Sequence, residues 1–166
     1  MNRSALFDAT RVYRYSLTRD WYEDLQSSNG VRWLCVVGLN PSTANETKDD
    51  PTIRRCIDFA RCLGCSGLEM VNLFAYRSTD PKVLANLTRA QAIGPDTGFY
   101  IREAVLRATH VVAAWGTRGD LFDRAAEVVA LVRASGREIQ CFGWTKNGSP
   151  KHPLYLPRTA QLLVAM

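Results

Sequence analysis

The sequence predicts a single α/β domain: a three-layer α/β/α sandwich with a mostly parallel, four-stranded core sheet. Three observations carry this. Four short apolar runs, at 33–37, 68–74, 109–115 and 139–142, are each bounded by glycine or polar turn residues, as buried strands are. Helical segments separate them, so strand and helix alternate four times, the pattern of right-handed crossovers with helices on both faces. Each run also leaves into a loop with unusual polar or aromatic residues: Asn40, Arg77, Trp115-Gly116, and the loop to His152. Parallel strands would bring these exits to one edge, where open α/β sheets bind ligands.

Composition agrees with one domain. The chain has 166 residues, enough for a real core, and 46% of them are apolar. A net charge of +5 permits an acidic partner such as a nucleotide or nucleic acid without requiring one. No apolar run approaches a membrane span, and residues 1–8 lack the apolar core of a signal peptide. A cytoplasmic location and no membrane contact are expected. Nothing in the sequence sets the oligomeric state.

The elements follow in order. Residues 1–30 read as a strand or hairpin region added to the core. Within it residues 9–18 alternate, with Val12, Arg14 and Ser16 on one side and Arg11, Tyr13, Tyr15 and Leu17 on the other. That suits an edge or hairpin strand. Ser27-Ser28-Asn29-Gly30 is turn chemistry leading into the first core strand. That strand ends at Gly38, and Asn40-Pro41 turns the chain, leaving Asn40, Ser42 and Thr43 just past its carboxyl end. Asp50-Pro51 then starts a helix, aspartate as N-cap and proline at the first helical position. Ile53, Ile57, Ala60 and Leu63 follow at helical spacing and Gly64 ends it.

The second core strand carries Asn72 inside an apolar run, and a buried amide must find a partner in backbone, water or ligand. Asp80-Pro81 repeats the cap-plus-proline start; residues 82–94 are helical in part and 95–108 more clearly. The third strand ends at Gly116-Thr117-Arg118-Gly119, and a helix over 121–134 stops at Gly136. The fourth leads through a long polar loop to His152-Pro153-Leu154-Tyr155, and a short helix is expected to close the chain.

The five cysteines include Cys62-Leu63-Gly64-Cys65 with Cys56 nearby, a spacing that can hold zinc or an iron–sulfur cluster. Cys56 and Cys62 interleave with apolar residues at helical spacing, so they read as small buried hydrophobes. No metal and no cofactor are expected.

Four segments carry a resemblance: Gly38-Leu39-Asn40-Pro41-Ser42-Thr43-Ala44, Asp50-Pro51-Thr52, Val71-Asn72-Leu73-Phe74-Ala75-Tyr76-Arg77 and His152-Pro153-Leu154-Tyr155. Over most of the chain they closely resemble an uncharacterised bacterial and phage family, a domain of unknown function, which brings no activity with it. More distantly, the layout over about residues 33–160 is similar to the uracil-DNA glycosylase superfamily. Gly38-Leu39-Asn40-Pro41 resembles the Gly-x-Asn-Pro form of its first motif. Asn72 resembles the strand-end asparagine that reads a pyrimidine edge, Trp115-Gly116 a later strand end, and His152-Pro153-Leu154-Tyr155 the last motif with its minor-groove loop. The resemblance implies a uracil-DNA glycosylase-like fold and hydrolysis of an N-glycosidic bond in DNA. The chain departs from the pattern in three places, one being that Cys62-Leu63-Gly64-Cys65 does not reproduce the four-cysteine arrangement of its iron–sulfur members. Residues 42–48 hold no aromatic to stack on a base, and Asn40 stands where a carboxylate would make hydrolysis fast.

The residues themselves suggest roles. Asn72 offers a donor and an acceptor to a base edge. His152 can donate to an oxygen that gains charge, and Asn40 can orient water but not deprotonate it, so an Asn40→Asp change is expected to raise hydrolysis. Leu154 and Tyr155 can wedge between bases. The candidate catalytic residues are therefore Asn40 and His152, and the candidate binding residues Gly38, Pro41, Ser42, Thr43, Asn72, Arg77, Trp115, Gly116, Leu154 and Tyr155. Plainer roles stand beside these: Asn72 tying two loops together, His152 capping a helix. Three functions remain open: an enzyme on a nucleobase, nucleotide or DNA; a non-catalytic nucleotide or nucleic-acid binding module; and an enzyme on another small phosphorylated substrate held at the Asp50-Pro51 helix start by Arg54 or Arg118. A Cys141–His152 nucleophile pair lacks an evident third residue to orient it.

Overall fold

Each apolar run becomes a strand because its alternate side chains find apolar partners on both faces. In the computed structural model, which describes residues 1–22 and 30–164, Leu34 and Val36 pack on one face and Cys35 and Val37 on the other. The described strands are β1 (Asn2–Phe7), β2 (Arg14–Asp20), β3 (Trp33–Gly38), β4 (Gly67–Asn72), β5 (His110–Ala113), β6 (Ile139–Cys141) and β7 (Leu163–Val164). The helices are α1 (Pro51–Cys62), α2 (Arg89–Ile93), α3 (Thr97–Arg107) and α4 (Arg124–Ala134).

All seven strands form one mixed sheet, in the order β1-β2-β4-β3-β5-β6-β7. β4, β3, β5 and β6 run parallel to their neighbours within that order, with Gly38 opposite Asn72 and Val37 opposite Ala113. The sheet is wider than the four strands expected. Antiparallel strands cover both sides of the parallel set: β2, itself paired with β1, beside β4, and β7 beside β6. An open sheet leaves unpaired backbone groups at its edges, and these additions satisfy them. Of the edge or hairpin strand expected, β2 is the hairpin strand, paired with β1 and not at the edge, and both its faces are covered, with Arg14, Tyr15, Ser16 and Leu17 all buried. The short helix expected at the end of the chain is instead β7, which pairs with Gln140 and Cys141. The turn expected at 27–30 falls, for 27–29, outside the described residues.

Ile53, Cys56, Ile57, Phe59 and Ala60 of α1 pack with Leu34, Val36, Leu68 and Met70 on one face. Ile101, Ala104 and Val105 of α3, with Val128 and Val132 of α4, pack with Cys35, Val37, Val71 and Val111 on the other. Asp50 caps α1 as expected, its Oδ1 accepting from Ile53 N at 2.9 Å, with Pro51 at the start. The helix expected over 121–134 is divided. A 3-10 turn spans Leu121–Asp123, Phe122 and Asp123 both have φ of 57°, and α4 begins at Arg124. That kink lets Arg124 turn inward, where its Nε donates to Leu73 O at 3.0 Å.

Candidate functional site

The two crossovers that follow β3 run in opposite directions. The chain passes from β3 to β4 on one side, and from β4 back across to β5 on the other. A reversal of this kind opens a crevice at the carboxyl ends of the strands. A cleft of about 400 Å³ lies there, in the range of small-molecule sites. Gly38 and Asn40 line it from the end of β3, Asn72 from β4, Trp115 and Gly116 from β5, and His152, Leu154 and Tyr155 from the loop after β6. Each exit supplies at least one side chain because parallel strands end on the same edge.

Hydrogen bonds fix how these side chains face the cleft. Asn40 Nδ2 donates to Pro41 O at 3.1 Å and to Ser78 O at 2.9 Å, so its nitrogen holds two loops and Oδ1 is the end left for water or ligand. Asn72 Oδ1 accepts from Arg14 Nη2 at 3.2 Å. A guanidinium only donates, so the amide oxygen must face it and Nδ2 is turned elsewhere. Nδ2 lies over Gly38, where a β-carbon would stand 2.8 Å from it. That close approach is why β3 ends in glycine. Asn72 is therefore not the even donor–acceptor pair expected: its oxygen is engaged and its nitrogen is the freer group.

His152 Nδ1 accepts from Leu154 N at 3.4 Å, which assigns the proton to Nε2. Burial lowers its pKa from the ordinary 6.5, against the opposing charge of Asp50. The side chain is thus a neutral imidazole at pH 7, with Nε2–H as a donor.

Several lining residues were not among the candidates, and two of them, Arg14 and Asp50, are charged and act on Asn72 and His152. Arg14, 3% exposed, reaches the cleft from the start of β2, where its Nη1 also donates to Ala44 O at 3.0 Å. Burial pulls its pKa down to about 10 despite the attraction of Asp50. Asp50 lines the cleft as well as capping α1. A strand that runs antiparallel to β4 must start where β4 ends, which is what brings Arg14 to Asn72. That pairing has no signal in the local sequence. Asp50 had one: a helix following a strand begins at that strand's carboxyl edge.

The other candidates fall as follows. Trp115 is a buried wall, held by Gly116 N donating to Pro150 O at 3.0 Å. Leu154 and Tyr155 are exposed at the mouth, Tyr155 by 83%. Ser42 lines the cleft and also a shallower recess beside it, which holds Thr43 and Arg77. Arg77 does not reach the cleft; its Nη1 donates to Arg11 O at 2.9 Å and its guanidinium sits over the Phe7 ring. Pro41 is buried, and its carbonyl accepts from Ser78 N. Of the arginines weighed for an anion, Arg118 lines the cleft, whereas Arg54 is exposed and donates to Asp49 O.

Among the described residues no group of three or more His, Cys, Asp or Glu side chains is placed to hold a metal ion. Cys35, Cys56, Cys65 and Cys141 are buried free thiols and Cys62 is exposed; burial raises the pKa of Cys35 and Cys56 strongly. No described helix is long and apolar enough to cross a membrane.

These features define a mixed α/β protein with a cleft at the carboxyl edge of its parallel strands, where a few polar side chains stand in a largely apolar lining. The chain belongs to the family described as protein of unknown function (DUF1643), which it matches over residues 14–154. No curated protein and no solved structure matches it.

Proposed function

We propose that the cleft recognises a nucleobase, free or within a nucleotide or DNA, and hydrolyses its N-glycosidic bond. On this reading the domain is a uracil-DNA glycosylase-like three-layer α/β/α sandwich to which antiparallel strands have been added. One observation carries the proposal: Asn40, Asn72 and His152, from three separate strand exits, line one cleft of about 400 Å³. The volume suits a base with part of its sugar. Asn72 Nδ2 and His152 Nε2–H are donors suited to ring carbonyl oxygens, and Asn40 Oδ1 can accept from a water. A hydrogen bond from His152 strengthens as charge moves onto the leaving base, the condition for speeding cleavage rather than tightening binding. Leu154 and Tyr155, exposed beside the mouth, suit a neighbouring base.

A non-catalytic binding module is the second reading, favoured by the use of Asn40 Nδ2 as a loop tie. A base-release assay separates the two. Its substrates are uracil-, T·G-mismatch- and modified-base DNA with free nucleotides alongside, and calorimetric binding of the same ligands accompanies it. Release supports the enzyme, and binding without release supports the module. Neither binding nor release by any of them removes both.

A further inference from the structure

Attack of water on an anomeric carbon is faster when a group takes the water's proton, and the amide of Asn40 cannot take one. The cleft nevertheless contains a carboxylate. Asp50 is the only acidic residue lining it among the described residues. Its place at the start of α1 is fixed by two features: Oδ1 accepts from Ile53 N at 2.9 Å, and Pro51 sets the helical turn that follows. Oδ2 takes no part in that cap. The carboxylate is half-buried, shares the cleft with Asn40 and His152, and its charge reaches both Arg14 and His152.

We propose that Asp50 is the catalytic base of this cleft, taking a proton from the water that Asn40 orients. The proposal rests on the reading of the cleft as an N-glycosidic hydrolase. In the step, the water oxygen bonds to the anomeric carbon as the C–N bond breaks, and the bonding pair leaves with the base. One water proton passes to Asp50 Oδ2 and the hydroxyl stays on the sugar. The base departs as an anion whose carbonyl oxygen is held by His152 Nε2–H. It then takes a proton from solvent, and Asp50 returns its own to solvent. The missing carboxylate at position 40 is thereby supplied from a different element, the first residue before α1.

Asparagine caps a helix about as well as aspartate, so Asp50→Asn removes the base and keeps the cap. Wild type and variant are compared on uracil-containing DNA and free deoxyuridine, with kcat and KM separated and with helix content and the urea midpoint as fold controls. The expected result is a fall of about 100-fold or more in kcat, with KM and the urea midpoint nearly unchanged. Asp50→Ser, which also caps, should lose rate equally. If the wild type releases base and both variants keep their rate, Asp50 is only a cap and this proposal fails while the hydrolase reading stands. Wild-type binding without release overturns the proposal and leaves the binding module. Neither binding nor release overturns both.

Discussion

Arg14 Nη2 donates to Asn72 Oδ1 at 3.2 Å from a side chain that is 3% exposed. This bond joins the start of β2 to the end of β4 and decides which end of the Asn72 amide the cleft can use. Removing it should cost stability as well as recognition.

Arg14→Met leaves Asn72 Oδ1 and Ala44 O without their donor. A buried acceptor left unpaired costs about 1–3 kcal/mol. Urea unfolding should show a loss of that size or more. Asn72→Ala breaks the same bond from the other side and leaves the buried Arg14 Nη2 without its acceptor, so it too should lose about 1–3 kcal/mol of stability, and it should weaken binding of a base by a similar amount, read by calorimetry. Equal binding by wild type and Asn72→Ala would remove Asn72 from the site.

Gly38→Ala tests the same amide from the other side. The new methyl would stand 2.8 Å from Asn72 Nδ2, the end of a movable side chain, so Asn72 shifts while the strand stays. The expected outcome is a loss of base affinity comparable to Asn72→Ala, with a fall in the urea midpoint no larger than that variant's. A large destabilisation with unchanged affinity would contradict the placement of Nδ2.

Asn40→Asp looks, from the motif alone, like a route to faster hydrolysis. The hydrogen bonds of Asn40 point to a different outcome. Asn40 Nδ2 serves two carbonyls, Pro41 O and Ser78 O, and a carboxylate would set an oxygen against both. The variant should lose about 1–3 kcal/mol of stability and gain no rate. A base-release assay beside a thermal melt checks both, and a faster, equally stable variant would refute the loop-tie role.

His152 ties stability to pH. The unfolded imidazole titrates near 6.5 and burial sets the folded value lower. Between those two values the unfolded chain holds more protons, so stability falls as the pH drops below about 6.5 and is steady above it. Replacing His152 with Gln should flatten that acid-side loss. If the cleft is the proposed hydrolase, the same change should lower kcat more than it raises KM, because the neutral donor would then act mainly on the leaving base.

The four core strands were legible because each is a short apolar run with a breaker at its end, and burial on two faces demands that composition. The α1 start was legible in Asp50-Pro51, since capping is local chemistry. That Asn40, Asn72, Trp115-Gly116 and His152 would share one edge followed from parallel order, which βαβ alternation imposes. The local sequence could not give the antiparallel additions. β2 sits inside the sheet because β4 offered an unpaired edge, and β7 formed in place of a helix because β6 did. Those pairings join residues far apart in the chain, and loop closure leaves no trace in local periodicity. Tertiary structure alone therefore decided that Arg14 turns Asn72, that Asn40 ties loops rather than standing free, that Arg77 braces the β1–β2 hairpin instead of the cleft, and that Asp50 is a cleft carboxylate as well as a cap. Sequence sets which groups can donate or accept; only the packed sheet sets which of them are already engaged.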